Sequence, residues 1–378
     1  MSKLNRTERI MLALGIAATV GAGVARYAGA PAVLAFVLAA VALAALASVV
    51  SFATEQVGEK FGPAVTGFLQ STLGNLPEFF IVIFALSAGQ VVVAQTSVIG
   101  SLFANALLVL GLVIVTGSAA APDGVMRFRR RLPNDTATLL LVAAFIIVVV
   151  GIAVQDGQKA AKHVDTFSAI AAVALLATYG TWAWSYLRSD SAAGGEEPAG
   201  SGTPTDGGEL AGRGEAAAHG GHHAGPRVPF AVSVVLLAVS GVGAAFVSDW
   251  FIHALEPAIE AIGISQAFAG LVVVALAGNA VENVAGVVLA RKGQSDLAIS
   301  VVKNSVAQIA AFLFPALVLV SLLFSQTLTF ALNPVYIGAI LLTALAVWQI
   351  TGDGEATRFE GVALISLYVV LGAYAFLE

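Results

Sequence analysis

The strongest constraint on this chain is its succession of apolar runs, each about as long as a bilayer is thick. A helix rises about 1.5 Å per residue, so roughly 20 apolar residues cross the hydrocarbon core. In hydrocarbon, every backbone N–H and C=O must find its partner within the chain, which leaves helices or closed barrels. No stretch alternates as a barrel strand does. The expected fold is an all-α polytopic membrane protein. Eleven spans are expected, at about 9–27, 31–54, 63–87, 91–116, 136–155, 165–187, 229–250, 264–290, 296–324, 334–350 and 359–377. A short amphipathic connection around His253, Glu256 and Glu260 is expected after the seventh. Only 11% of residues are charged, against about 25% in soluble domains. Cys is absent, which excludes disulfides, thiolate metal sites and a Cys nucleophile. No cleavage pattern follows residues 1–9, so the first helix is expected to be retained.

Lys and Arg in short loops set orientation. Lys3, Arg6 and Arg9 precede the first span, Arg127, Arg129, Arg130 and Arg131 follow the fourth, and Arg291 with Lys292 follow the eighth. Eleven spans put all three groups on one side. Arg26, Lys159 and Lys162 make a weaker set on the other. The expectation is a cytoplasmic N-terminus and an external C-terminus in a prokaryotic plasma membrane. Residues 188–227 hold Gly, Ala, Ser and Pro with six acidic residues and three Arg, a composition too polar to bury a core. They read as a flexible cytoplasmic linker, and His219, His222 and His223 within it as solvated low-complexity sequence.

Two motifs carry a carboxylate where hydrocarbon should be: Gly74-Asn75-Leu76-Pro77-Glu78 and Gly278-Asn279-Ala280-Val281-Glu282. Charge at that depth costs at least ~2.5–3.5 kcal/mol unless it is paired or hydrated, so such residues are functional by default. The motifs are 204 positions apart. The same offset relates Gly89-Gln90 to Gly293-Gln294 and Ser101 to Ser305, so register holds across a helix, a tight loop and the next helix. The chain therefore reads as a duplication. Residues 1–30 form a peripheral helix, 31–187 one five-helix repeat, 188–227 the linker and 228–378 the other repeat. Equivalent helices are five spans apart, an odd number, so the repeats are inverted. Inverted repeats around a midplane site mark secondary transporters.

Gly and Asn precede each Glu by four and three positions, close to one helical face. Gly permits close backbone approach, and Pro77 is expected to free a carbonyl one turn earlier. Carboxylate, carbonyl and amide oxygens are the ligand set of Ca²⁺. The candidate ion ligands are Glu78, Glu282, Asn75, Asn279, Gly74 and Gly278, with Ser101, Asn105, Ser305 and Gln308 from the following helices. Gln95 and Ser97 fit helix packing as well as they fit the site. A carboxylate that holds either a proton or a cation suits exchange. The rival readings are a channel, which usually needs several subunits around one pore, and an intramembrane enzyme, for which no nucleophile–base pair is readable.

These residues resemble the cation/Ca²⁺ exchanger superfamily, in its Ca²⁺/H⁺ antiporter branch. Ala53-Thr54-Glu55-Gln56, Gly100-Ser101 with Asn105, Asp296-Leu297-Ala298 and Ser305 with Gln308 are similar to that branch's motifs. The resemblance implies Ca²⁺ bound by Glu78 and Glu282, export of Ca²⁺ for H⁺, no cofactor and no enzymatic activity. It implies the bilayer and a coupling cation as partners, and no nucleic acid. Sodium as coupling ion, or another cation as substrate, is the close alternative. It also implies gating by acidic residues ending helices 2 and 7, for which Glu55 and Asp249 are the nearest matches. Three departures stand out: Leu76-Pro77 in the first motif, Asn283 after the second Glu, and Asn304-Ser305-Val306, preceded by Lys303, where the family has Gly-Ser-Ser. Lys303 is expected to snorkel to the interface, with reach into the site as the alternative.

Overall fold

The computed structural model describes residues 6–58, 60, 73–157, 159–193 and 228–378, with side chains at all of these except 7, 131–133, 186–193, 281 and 282. Twelve helices are described: α1 Arg6–Tyr27, α2 Ala32–Gly58, α3 Leu76–Ser87, α4 Val91–Ala120, α5 Arg131–Gln155 and α6 Val164–Ala193 in the first half. The second half adds α7 Phe230–Ile262, α8 Gln266–Gly278, α9 Ala280–Arg291, α10 Ser295–Ser321, α11 Pro334–Thr351 and α12 Arg358–Leu377. Two short strands, β1 Val125–Arg127 and β2 Glu355–Thr357, pair antiparallel. Among the described residues nine helices are long and apolar enough to cross a membrane, and the bent pair α8 and α9 makes ten. Of the span expected at 63–87, α3 and the helical residues 73 and 74 before it are described, and residues 61–72 lie outside the described residues.

The helices pair as the duplication requires. Helix α7 packs on α3, and α2 on α8 and α9; α12 packs on α4, and α6 on the second half of α10. The pairs α2 with α7 and α5 with α11 map onto themselves. The tight loops also correspond, with Gly89 at φ 75° and Gly293 at φ 73°, a left-handed turn that glycine adopts without strain.

The two loops lie at opposite ends of the bundle. At one end, β1 pairs with β2, the Arg129 N–H donates to Asp296 Oδ1 at 2.7 Å, and Asp296 opens the helix that follows the Gly293 loop. At the other end, Gln90 Nε2 donates to Glu256 Oε2 at 3.4 Å. Between Gln90 and β1 runs α4, whose 30 residues span about 45 Å. The two matching hairpins therefore enter from opposite faces.

The strand pair forms a clasp between the α4–α5 and α11–α12 connections. Arg127 bonds Asp123 at 2.6 Å and Glu355 at 3.3 Å, and its hydrogen bond holds the Asp123 carboxyl below the usual carboxylate range. Arg127 and Glu355 are 55% and 54% exposed, and exposed pairs contribute little. Glu355→Ala is therefore expected to leave the thermal unfolding midpoint in detergent unchanged, because backbone pairing holds the clasp. A clear drop would show that the side-chain pair matters.

Three sequence expectations need correction. Helix α7 does not stop near residue 250 but runs to Ile262 with Pro257 inside it. Phe251, Leu255, Ala258 and Ile259 are buried at helical spacing, so the amphipathic connection is helix. Helix α6 continues to Ala193, into the stretch read as linker, because no Gly or Pro interrupts residues 181–193. Residues 194–227, with the three His, lie outside the described residues. Finally, Pro77 occupies the first turn of α3. A proline there removes a donor that had no partner, so it marks a helix start rather than a mid-helix defect.

Candidate ion-binding site

Both motifs break their helix at the Asn. Asn75 has φ −83° and ψ 5°, and Asn279 has φ −100° and ψ 11°, close to helical φ but unwound in ψ. The α8 and α9 axes differ by 59° across the second break. Neither Asn side chain caps the helix it precedes. The Asn279 amide is thereby available to reach the other half of the molecule.

It reaches Glu78. Asn279 Nδ2 donates to Glu78 Oε1, to Ser101 Oγ at 2.9 Å and to the Ala275 carbonyl at 3.0 Å. Ser101 Oγ in turn donates to Glu78 Oε1 at 2.6 Å. Glu78 is 7% exposed, Asn279 2% and Ser101 3%. One carboxylate from the first half is thus held by a hydroxyl from the next helix and an amide from the second half. Gly278 makes this approach possible: a Cβ there would lie 3.0 Å from Glu78 Cγ and 3.2 Å from Oε1.

A small cavity of about 10 Å³ opens beside the carboxylate, lined by Glu78, Ser97 and Ser101 and closed by Ile81, Val98, Val274 and Leu313. That is room for about one water-sized occupant. Ser97, which the sequence left undecided, lies one turn before Ser101 on the same face of α4 and joins the lining. The four-residue spacing was the available signal. Asn105 donates Nδ2 to the Ser101 carbonyl at 3.0 Å, while its buried Oδ1 has no hydrogen-bond partner among the described residues.

Equivalent π-helical turns follow Ser101 and Ser305, at Ala104–Val109 in α4 and Ile309–Leu313 in α10. A third, Ala269–Val274, precedes the second motif in α8. Such turns concentrate at functional sites. Nothing in these mostly apolar segments announced them.

The second half supplies matching groups. Ser305, Asn304 and Gln308 are each 4% exposed, and Asn75 is 3% exposed. Gly74 lies half-buried beside the first break. Glu282 has its backbone in α9, and its side chain lies outside the described residues. Glu55, near the end of α2, is half-buried. Asp249 in α7 stands 3.2 Å from His253 Nδ1, partly exposed. Lys303 does not snorkel to the surface. It is 2% exposed, and its Nζ donates to Thr351 Oγ1 in α11 at 2.6 Å. The side chain leans toward the start of its helix, as helical side chains do, and α11 covers it there.

The sodium/calcium exchanger protein family matches residues 31–185 and 232–377. A Ca²⁺/H⁺ antiporter of Aphanothece halophytica is 27% identical over 342 residues, covering 89% of this chain and 88% of its own length. The Ca²⁺/H⁺ antiporter ChaA of Bacillus subtilis is 27% identical over 379 residues, covering 99% of this chain and all of its own. Among solved structures, native YfkE superposes with a TM-score of 0.75 at 23% identity, covering 97% of this chain and 100% of that one. The H⁺/Ca²⁺ exchanger CAX superposes with a TM-score of 0.67 at 16% identity, covering 97% and 91%. These likenesses and the inverted hairpins agree, and the chain belongs to the sodium/calcium exchanger protein family.

Proposed function

We propose that this chain is a secondary active antiporter that exports cytoplasmic Ca²⁺ in exchange for H⁺ by alternating access. The observation that carries the reading is the Glu78 carboxylate, buried in the bundle and bridged by Ser101 from its own half and Asn279 from the other. The relatives named as Ca²⁺/H⁺ antiporters support the choice of ions.

The donors set the mechanism. In the arrangement seen, the Ser101 hydroxyl and the Asn279 amide donate to Glu78 Oε1, and such donors stabilise a carboxylate. A half-turn of the Asn279 amide replaces Nδ2 with Oδ1, and the Ser101 oxygen has lone pairs to offer once its proton turns away. The same atoms then present oxygens to Ca²⁺, which takes 6–8 of them. Through the 204-residue offset, Glu282, Asn75 and Ser305 form the equivalent half of the site, with Gln308 beside it. Protonation of the carboxylates removes the charge that holds the cation, so each ion expels the other. Glu55 and Asp249 serve as gates on opposite faces. The peripheral first helix, the two inverted repeats on either side of a linker, the cytoplasmic N-terminus and the prokaryotic plasma membrane belong to the same proposal.

Everted vesicles test it. Added Ca²⁺ is expected to dissipate a preformed pH gradient, and Ca²⁺ flux without any counter-ion requirement would sink the proposal. A sodium gradient in place of the proton gradient separates the two coupling ions. Within this assay, Ser101→Ala removes an oxygen that the proposal turns toward Ca²⁺. The half-saturating Ca²⁺ concentration is expected to rise about tenfold, or ~1.4 kcal/mol. An unchanged value would remove Ser101 from the site.

A further inference from the structure

Lys303 breaks the symmetry of the duplication. Its counterpart at the 204-residue offset is Ile99, an apolar residue 1% exposed, and its neighbour Asn304 corresponds to Gly100. A buried lysine has thus been added to one half only. Its depth follows from the hairpin. In the first hairpin Glu78 lies eleven residues before Gly89 and Ser101 twelve after it, and the two side chains meet at 2.6 Å. The same count around Gly293 brings Ser305 level with the second motif. Lys303 therefore lies two residues, about 3 Å, to the loop side of Ser305, and its side chain leans further that way, to the last residue of α11. It is fixed there: Thr351 Oγ1 accepts from Nζ at 2.6 Å and donates to the Val347 carbonyl at 2.6 Å.

We propose that Lys303 is a specificity-determining residue, a tethered cation that lowers the site's affinity for divalent ions more than for monovalent ones. The inference rests on the reading of the two motifs as the ion site. The two motif carboxylates contribute two negative charges, and Lys303 offsets one of them. Coulomb repulsion scales with the product of charges, so a fixed positive charge opposes Ca²⁺ twice as strongly as Na⁺. The bundle interior transmits this effect because salt screens buried charges poorly. The benefit is release: a weaker grip on a dication lets it leave the site quickly on the far side.

The test is Ca²⁺ binding to the purified full-length protein in detergent, read as thermal stabilisation, with Na⁺ as competitor. Lys303→Met is expected to lower the half-saturating Ca²⁺ concentration about tenfold or more at an effective dielectric near 20. The Na⁺ shift should be the square root of that factor, about threefold. Lys303→Gln keeps a donor for Thr351 and supplies the same comparison where Met fails to fold. Lys303→Arg retains the charge and should stay near the parent. Unchanged or weaker Ca²⁺ binding in both neutral variants overturns the proposal, as do equal shifts for the two ions. Glu78→Gln separates the failures: if it leaves Ca²⁺ binding intact, the site assignment itself falls, whereas its loss of binding beside a silent Lys303→Met sinks this inference alone.

Discussion

Glu78→Gln is expected to abolish Ca²⁺-dependent proton release, lowering transport at least about 100-fold while the protein still folds. Gln has the shape of Glu, and its Oε1 still accepts from Ser101 Oγ and Asn279 Nδ2. The bridge between the two halves therefore persists. What disappears is the negative charge that attracts a dication and the group that takes up a proton. A factor of 100 corresponds to about 2.7 kcal/mol, well below the attraction of adjacent opposite charges at an effective dielectric near 20. The measurement pairs the vesicle assay with a melting curve in detergent. A parent-like melting point with no transport is the expected result. Transport above about one-tenth of the parent would make Glu78 a structural residue, since ten-fold is only about 1.4 kcal/mol.

Gly100→Ala is the second severe change. A Cβ at Gly100 would lie 2.5 Å from Leu271 Cα and from its carbonyl oxygen, both backbone atoms of the α8 π turn. Backbone cannot swing aside as a side chain does, so α4 and α8 must separate. Small residues that let helices approach closely are what hold membrane bundles together. Overpacking of this kind costs typically 1–3 kcal/mol, and here the strain falls beside Ser101. The melting point is expected to drop by several degrees and transport by more than about tenfold. Gly270→Ala offers a graded comparison. Its Cβ would meet Thr96 Oγ1, which can rotate, although the Val93 carbonyl lies 3.0 Å away. Parent-like stability and transport in Gly100→Ala would show that the crossing is looser than this geometry requires.

Particular residues explain how much of this was legible beforehand. The all-α membrane fold follows from run length and charge content, which act on every segment alike. The inverted duplication was readable because Gly, Asn, Glu and Ser keep one offset across a whole hairpin. Pairing Glu78 with Ser101 needed only that hairpin, but the choice of Asn279 as third partner depends on how the halves dock, 201 residues apart. The π turns left no trace because their extra residue is invisible in apolar sequence. The two strands are three residues each, too short to alternate detectably, and their pairing partner is remote. Lys303 was noticed as out of place, but Thr351, 48 residues on, could not be assigned to it from spacing alone.

The bridge from Asn279 to Glu78 also has a consequence for how the molecule is made. Ribosomes add about 5–20 residues per second, so Glu78 enters the membrane some 10–40 s before Asn279 exists. During that interval the carboxylate rests on groups of its own half, Ser101 among them. An insertion intermediate with half a site is therefore obligatory in biosynthesis. The residue that later trades protons for calcium is, in the nascent chain, first a problem of membrane insertion.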